Sequence, residues 1–161
     1  MSRILRVVDR ADPAIVSWMA ENGVTLLRVS LGLVFLWFGI LKFFPGLSPA
    51  QELAGRTISD LTLGLVLPAV SLPALATWEC LIGLGLVTGR FLRLTLLLLF
   101  LQMPGTLMPL VLYPSETFTL IPVAPTLEGQ YIIKNFVLIS AGIVVGATVR
   151  GGRLSPTPPA K

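Results

Sequence analysis

Long apolar segments alternate with short polar ones along this chain of 161 residues. Four of the apolar segments approach the roughly 20 residues that a helix needs to cross the hydrocarbon core of a bilayer. The sequence therefore predicts an all-α fold, an integral membrane four-helix bundle. Its spans 1 to 4 cover about residues 24–44, 72–88, 91–113 and 131–149.

The segments outside the spans have distinct patterns. Residues 1–23 are polar and precede span 1, and Asp12-Pro13 predicts that a short interfacial helix occupies residues 13–21. Between spans 1 and 2, Ser48, Pro49 and Glu52 form a helix-start signal, with a capping side chain, a proline at the first helical position and an acid in the first turn. An extra amphipathic helix is expected there, at the membrane surface or over the mouth of the bundle.

The positions of the basic residues predict how the chain is oriented in the membrane. An even number of spans puts both chain ends on one side, and cytoplasmic loops carry an excess of Lys and Arg. With the N-terminus inside, the outer loops carry only Arg56, whereas the inner segments carry eight basic residues: Arg3, Arg6, Arg10, Arg90, Arg93, Arg150, Arg153 and Lys161. We therefore expect a cytoplasmic N-terminus. The basic, proline-rich tail over residues 150–161 is expected to be cytoplasmic and disordered, and residues 114–130 form a proline-rich loop.

Composition excludes several classes of protein. Only 12% of the residues are charged, about half the usual share of a soluble domain, so the lipid bilayer is the first partner expected. The net charge of +4 does not indicate nucleic acid, because the basic residues flank apolar segments. Cys80 is the only cysteine and there is no histidine. We therefore expect no disulfide within the chain, no metal site and no set of catalytic residues.

Charged residues inside a span are costly and usually face the bundle interior. In span 1, Arg28 and Lys42 share one helical face with Gly32, Phe35 and Gly39, because the spacings alternate between four and three residues. The glycines allow a neighbouring helix to approach closely. Either the two charges point into the bundle, or their long side chains reach opposite headgroup layers.

Glu79 is the most informative residue, since a lone carboxylate in a span must be paired or protonated. Lys42 and Lys134 lie at comparable depth and are its natural partners. Two interpretations stay open: an ion pair that holds the bundle together, or a polar site for a quinone, a small anion or a proton. The polar start of span 4 adds to this candidate set, which comprises Arg28, Lys42, Glu79, Glu128, Lys134 and Asn135.

Three stretches carry a resemblance to a known family. They are LLRVSLGLVFLWFGILKFFPG in span 1, WECLIGLGLVTGRFLRL in span 2 and the start of span 3, and EGQYIIKNFVLISAGIVVG in span 4. In their order and spacing they resemble DoxX-like membrane proteins over about residues 24–149. By motif position Arg28, Lys42 and Glu79 correspond to family-typical residues, and Glu128 and Lys134 correspond more loosely.

The resemblance implies a four-helix protein of the bacterial plasma membrane. Some relatives are subunits of a thiosulfate:quinone oxidoreductase, and others belong to oxidative-stress complexes. We therefore expect a non-catalytic subunit or anchor for a redox partner protein, with a quinone as the one cofactor that the resemblance suggests. A small proton or solute transporter component is the alternative, and an enzyme, if the chain is one, would be an oxidoreductase subunit.

Overall fold

A computed structural model describes residues 3–48 and 51–152, with side chains from Asp12 onward. Its helices and strands, in chain order, are α1 (Arg3–Leu41), α2 (Gln51–Leu61), α3 (Pro68–Thr88), α4 (Leu92–Leu107), α5 (Pro109–Leu112), α6 (Pro114–Thr117), β1 (Phe118–Leu120), β2 (Ala124–Pro125), α7 (Leu127–Ile133) and α8 (Asn135–Thr148). The predicted all-α fold is confirmed, and the two short strands form only a small antiparallel hairpin.

Four helical segments are long and apolar enough to cross a membrane: Asp12–Leu41, Pro68–Thr88, Leu92–Leu112 and Leu127–Thr148. The predicted four-helix membrane architecture is therefore confirmed. The outer surface carries large apolar side chains, with Trp37 70% and Val137 68% exposed. Such a surface is suited to lipid and unsuited to water.

The N-terminal part of the chain differs from the prediction. Residues 13–21 do not form a separate short helix, because α1 runs without a break from Arg3 to Leu41 with Pro13 inside it. A proline removes one backbone hydrogen bond, and Gly23 costs about 1 kcal/mol relative to alanine. The helix nevertheless continues through both residues.

The starts of two other helices differ from the predicted ones by a few residues. Helix α3 starts at Pro68 rather than near residue 72, because a proline at the first helical position needs no backbone donor. Helix α7 starts at Leu127 rather than near residue 131, because the Thr126 hydroxyl accepts a hydrogen bond from the Gly129 amide at 3.2 Å. The predicted loop over residues 114–130 therefore contains α6, the hairpin and the start of α7.

Two predictions fall partly outside the described residues. The amphipathic helix between spans 1 and 2 is present as α2, but Pro49, which belongs to its predicted start signal, lies outside them. The predicted disordered tail lies outside them beyond residue 152.

The four long helices form a closed ring, in which α1 and α4 each contact both α3 and α8. Their shared core includes Phe35, Ile82, Leu99 and Val145. Helices α1 and α3 lie closest: a Cβ added at Gly83 would be 2.6 Å from the Leu36 backbone nitrogen. This close approach sets the relative positions of the charged residues on the two helices.

The two ends of the bundle are different. One end, which we call the loop end, carries α2, α5, α6 and the hairpin. The other end carries the tight turn between α3 and α4, in which Gly89 and Phe91 have positive φ angles of 69° and 52°. Because α1 ends at the loop end, Lys42 lies there as well, beneath α2.

Candidate functional site

A buried polar cluster lies inside the bundle near the loop end. The Glu79 carboxylate accepts a hydrogen bond from the Lys42 ammonium at 2.6 Å and one from the Gln102 amide at 2.9 Å. The Lys42 ammonium also reaches the Phe38 carbonyl oxygen at 3.4 Å. We call Lys42, Glu79 and Gln102 the polar cluster; all three residues are at least nine-tenths buried.

Close contact between α1 and α3 brings the two charges together. A Cβ added at Gly39 would lie 3.0 Å from the Glu79 Cβ and from the Cys80 sulfur. Glycine at this position therefore lets α1 approach α3 one turn before Lys42. The resulting charge-assisted hydrogen bond between Lys42 and Glu79 is stronger than one between neutral groups. It also pairs two charges that would each be costly to bury alone in an apolar interior.

Gln102 was not among the predicted site residues. It is the only side-chain amide in span 3, and that isolation in an apolar helix was the available signal. The sequence did not show that it faces Glu79, because the bend and rotation of a helix containing Pro104 and followed by Pro109 depend on tertiary packing.

Lys134 contacts aromatic rings rather than the carboxylate. Its ammonium lies 3.5 Å from the centre of the Tyr131 ring and 4.4 Å from that of Phe38, and the two rings meet edge to face at 5.5 Å. Among the described residues, Glu79 is within ion-pair distance of Lys42 but not of Lys134. The structure thus brings Lys134 to the same region without joining it to the pair.

The remaining predicted residues separate into three locations. Asn135 is buried and lies on the cavity described below, whereas Glu128 is exposed and does not line it. Arg28 lies toward the opposite end of the bundle, where its guanidinium donates to the backbone oxygens of Leu86 and Val87. These carbonyls belong to the last turn of α3, which is the negative end of the helix dipole. The positively charged Arg28 side chain is attracted to this end and caps the helix.

The polar cluster lies on the wall of a cavity of about 450 Å³. Most of the lining is apolar, and it comes from α1, α3, α4, α7 and α8, with α2 above. Two buried side-chain atoms on this wall, Ser71 Oγ and Gln102 Oε1, have no hydrogen-bond partner among the described residues. Buried polar atoms are normally satisfied, so a bound molecule or water would complete them.

Polar contacts on the outside fasten α2 over this cavity. Arg56 on α2 pairs with Glu116 on α6, and its guanidinium lies 4.2 Å from the centre of the Tyr113 ring. The Tyr113 hydroxyl donates to the Asp60 carboxylate. We call these four residues the latch. The hydrogen bond to Asp60 is the main cause that raises the pKa of Tyr113 above its ordinary value.

The chemistry available is binding and charge compensation. The carboxylate and ammonium of the polar cluster can exchange hydrogen bonds with a polar head group, and the apolar walls suit a hydrocarbon tail. Among the side chains that the structure describes, from Asp12 onward, no group of three or more His, Cys, Asp or Glu residues is arranged to hold a metal ion. Cys80 is a free, half-buried thiol beside Glu79.

Comparison with known proteins gives one match. A family model described as DoxX matches residues 23–111, which is more than half of the chain. The matched range includes Arg28 and the whole polar cluster, and it ends before Glu128, Lys134 and Asn135. No curated protein and no solved structure matches the chain.

Proposed function

The chain belongs to the DoxX family, and we propose that it is a non-catalytic membrane subunit that anchors a redox partner and holds a quinone head group in its cavity. The observation that carries this proposal is the polar cluster on the wall of an otherwise apolar cavity. A volume of about 450 Å³ falls in the usual range for small-molecule sites.

The chemistry of a quinone matches the composition of this wall. Its ring carries oxygen atoms that accept hydrogen bonds when oxidised and donate them when reduced. The Lys42 ammonium and the Ser71 hydroxyl are donors for the oxidised form, while Glu79 and the unpartnered Gln102 oxygen are acceptors for the reduced form. The isoprenoid tail would lie against apolar side chains.

The proposed location is the plasma membrane of a bacterium, with both chain ends in the cytoplasm. The excess of basic residues on the side of the chain ends supports this orientation. In that arrangement α2, the latch and the cavity lie toward the outer face. A redox partner would dock at the exposed polar surface of α2 and α6.

Quinone content of the purified protein tests the proposal. We expect near-stoichiometric quinone in organic extracts of the unsubstituted protein, and about five- to tenfold less in the double variant Lys42→Met/Glu79→Leu, because charge-assisted hydrogen bonds to the head group are lost. Glu128→Gln is the matched control and should retain quinone. Absence of quinone from the unsubstituted protein, with no binding on addition, would contradict the proposal.

The anchoring role has its own test. A partner that co-purifies in fixed ratio should carry a flavin, haem or iron–sulfur group, visible in its absorption spectrum. We expect Glu52→Lys, at an exposed position of α2 outside the latch, to weaken this complex without changing quinone content. A chain that purifies alone from its native membrane under mild conditions would contradict the anchoring role.

A second candidate function is movement of a proton or small solute. It is favoured by the pairing of Lys42 with Glu79 inside the bundle, because ionisable residues within spans frequently mark transport pathways. Proteoliposomes loaded with a pH-sensitive dye distinguish the two candidates. Transport requires a flux that Glu79→Gln abolishes; an unsubstituted protein without flux excludes it.

A further inference from the structure

We infer that the cavity opens sideways into the bilayer between α3 and α4, so that its ligand is a lipid-soluble amphiphile that enters from the membrane. This inference deepens the proposed function and rests on it for the identity of the ligand. The opening, which we call the lateral portal, is framed by Ala74 and Trp78 on α3 and by Leu101 and Gly105 on α4.

The aqueous end of the cavity is covered. Leu53 and Thr57 on α2 are buried and line the cavity from above. The latch fastens this helix by contacts from Arg56 to Glu116 and from Tyr113 to Asp60. A water-soluble ligand would have to displace α2, whereas a ligand from the bilayer would not.

The floor of the cavity is also closed. Phe35 and Met103 line it and are only 5% and 3% exposed. Below them the apolar core continues with Ile82 and Leu99, which are completely buried. These packed side chains close the cavity toward the other end of the bundle.

The side between α1 and α8 is covered by aromatic contacts. Phe38 and Tyr131 meet edge to face, and the Lys134 ammonium lies over both rings. Each of these three residues lines the cavity and is partly buried. Among the four long helices, the lining residues that are exposed on the surface lie on α3 and α4.

At the lateral portal, residues that line the cavity are also exposed on the membrane face. Leu101 is 60% and Trp78 is 38% exposed, and Ala74 and Gly105 fall in the same exposed class. A Cβ added at Gly105 would meet nothing within 4 Å. The Trp78 indole donates to the Leu98 carbonyl at 3.1 Å and joins the two helices at the lower edge of the opening.

This geometry specifies the class of ligand. A head group that passes between Ala74 and Gly105 reaches the polar cluster, while a long apolar tail stays in the gap between α3 and α4 and in the surrounding lipid. A quinone with a hydrocarbon tail meets these conditions. A small hydrophilic anion does not, because the bilayer excludes it from the lateral portal.

The first test needs no bound ligand. In a Cys80→Ala background, Asn135→Cys puts a thiol on the far wall of the cavity, and Ala141→Cys puts one in the core of the same helix. We expect a lipid-soluble maleimide to modify the first and not the second. Gly105→Phe should slow the reaction at position 135 by about tenfold, a barrier increase of about 1.4 kcal/mol.

Two control variants distinguish a blocked lateral portal from a general disturbance of the fold. Gly105→Ala adds a side chain too small to fill the opening, and Leu94→Phe adds bulk on the lipid face of α4 away from the cavity. Both should leave the labelling rate within about twofold of the parent, a change of less than half a kcal/mol. Equal rates in Gly105→Phe and its parent, or no labelling at position 135, would overturn the lateral portal.

The second test follows binding of a decyl-chain benzoquinone in nanodiscs by quenching of Trp78 fluorescence, in a Trp18→Phe/Trp37→Phe background. Gly105→Phe should slow the quenching by about tenfold while Gly105→Ala does not. Saturable quenching at an unchanged rate in Gly105→Phe overturns the lateral portal and leaves the proposed function standing. Labelling that depends on Gly105 without any quenching overturns the quinone and leaves the portal standing.

Discussion

At the scale of single residues, the bond between Lys42 and Glu79 is the most consequential contact in the bundle. Each charge would be expensive to bury alone, and the pair still needs the Gln102 amide to satisfy the second carboxylate oxygen. Because an unpaired buried charge is costly, these two hydrogen bonds hold α1, α3 and α4 together at a single point.

Removing one partner should harm the protein more than removing both. We expect Lys42→Met to lower the free energy of unfolding by about 3–5 kcal/mol, because it leaves Glu79 buried and unpaired. The double variant Lys42→Met/Glu79→Leu should recover a large part of this loss. Denaturation of the purified protein in mixed micelles measures both values; a double variant as unstable as the sum of the two single variants would contradict this account.

Individual residues also show what the sequence could and could not predict. The pairing of Lys42 with Glu79 was predictable, because an isolated carboxylate in a span requires a partner. Arg28 shares a helical face with Lys42, but 14 residues along a helix separate them by about 21 Å, so a shared face does not mean a shared site. Gln102 was recognisable as an isolated amide in an apolar span, whereas Ser71 was not, and only the packing of α3 and α4 puts both on the cavity wall.

At the scale of helices, glycine determines how closely α1 and α3 approach. A Cβ at Gly83 would lie 2.6 Å from the Leu36 nitrogen and 2.8 Å from the Gly32 oxygen, both of which are backbone atoms that cannot move independently. The separation between the helices must therefore increase if any side chain is added. The polar cluster depends on this spacing, because Lys42 directly follows α1 and Glu79 lies on α3.

Gly83→Ala should consequently be far more harmful than an ordinary helical substitution. We expect a loss of about 1–3 kcal/mol in the free energy of unfolding, the usual cost of overpacking. Gly23→Ala in α1 is the matched control: its Cβ would meet nothing within 4 Å, so it should be neutral or stabilising. Equal stability of the two variants would contradict the close packing of α1 on α3.

The latch gives α2 a dependence on pH. Because its hydrogen bond to Asp60 raises the pKa of Tyr113 in the folded protein, the latch contributes its full stability below the unfolded tyrosine pKa of about 10. That contribution is lost as the pH rises through the higher folded-state value.

We therefore expect a spin label at Leu61→Cys, in a Cys80→Ala background, to stay immobile up to about pH 10 and to become mobile only at higher pH. Tyr113→Phe should remove this step, since the titrating hydroxyl is absent. Mobility that changes between pH 6 and 8, or a step that survives in Tyr113→Phe, would show that other groups hold α2.

At the scale of the whole molecule, an apolar exterior surrounds an apolar core that contains one buried polar cluster. The four spans and the amphipathic helix were predictable, because segment length and hydrophobicity suffice for them. The cavity was not, since its shape depends on the position of α2 and on the angle between α3 and α4. The continuity of α1 was missed because Asp12-Pro13 resembles a helix start, whereas the helix runs through it.

The orientation can be measured by labelling cysteines from one side. In a Cys80→Ala background, Leu63→Cys reports on the loop end and Arg90→Cys on the opposite turn; both positions are exposed. Because basic residues accumulate on the cytoplasmic side, a membrane-impermeant maleimide added to whole cells should label position 63 and not position 90. The reverse pattern would contradict cytoplasmic chain ends.

The measurement that tests the central claim most directly is a quinone titration followed by Trp78 fluorescence, in protein that lacks Trp18 and Trp37. If the cavity holds a quinone head group against the polar cluster, quenching should saturate at one quinone per chain. The double variant Lys42→Met/Glu79→Leu should weaken the affinity by about five- to tenfold, while Glu128→Gln leaves it unchanged. Quenching that rises linearly without saturation, or that is the same in the double variant, would contradict the account.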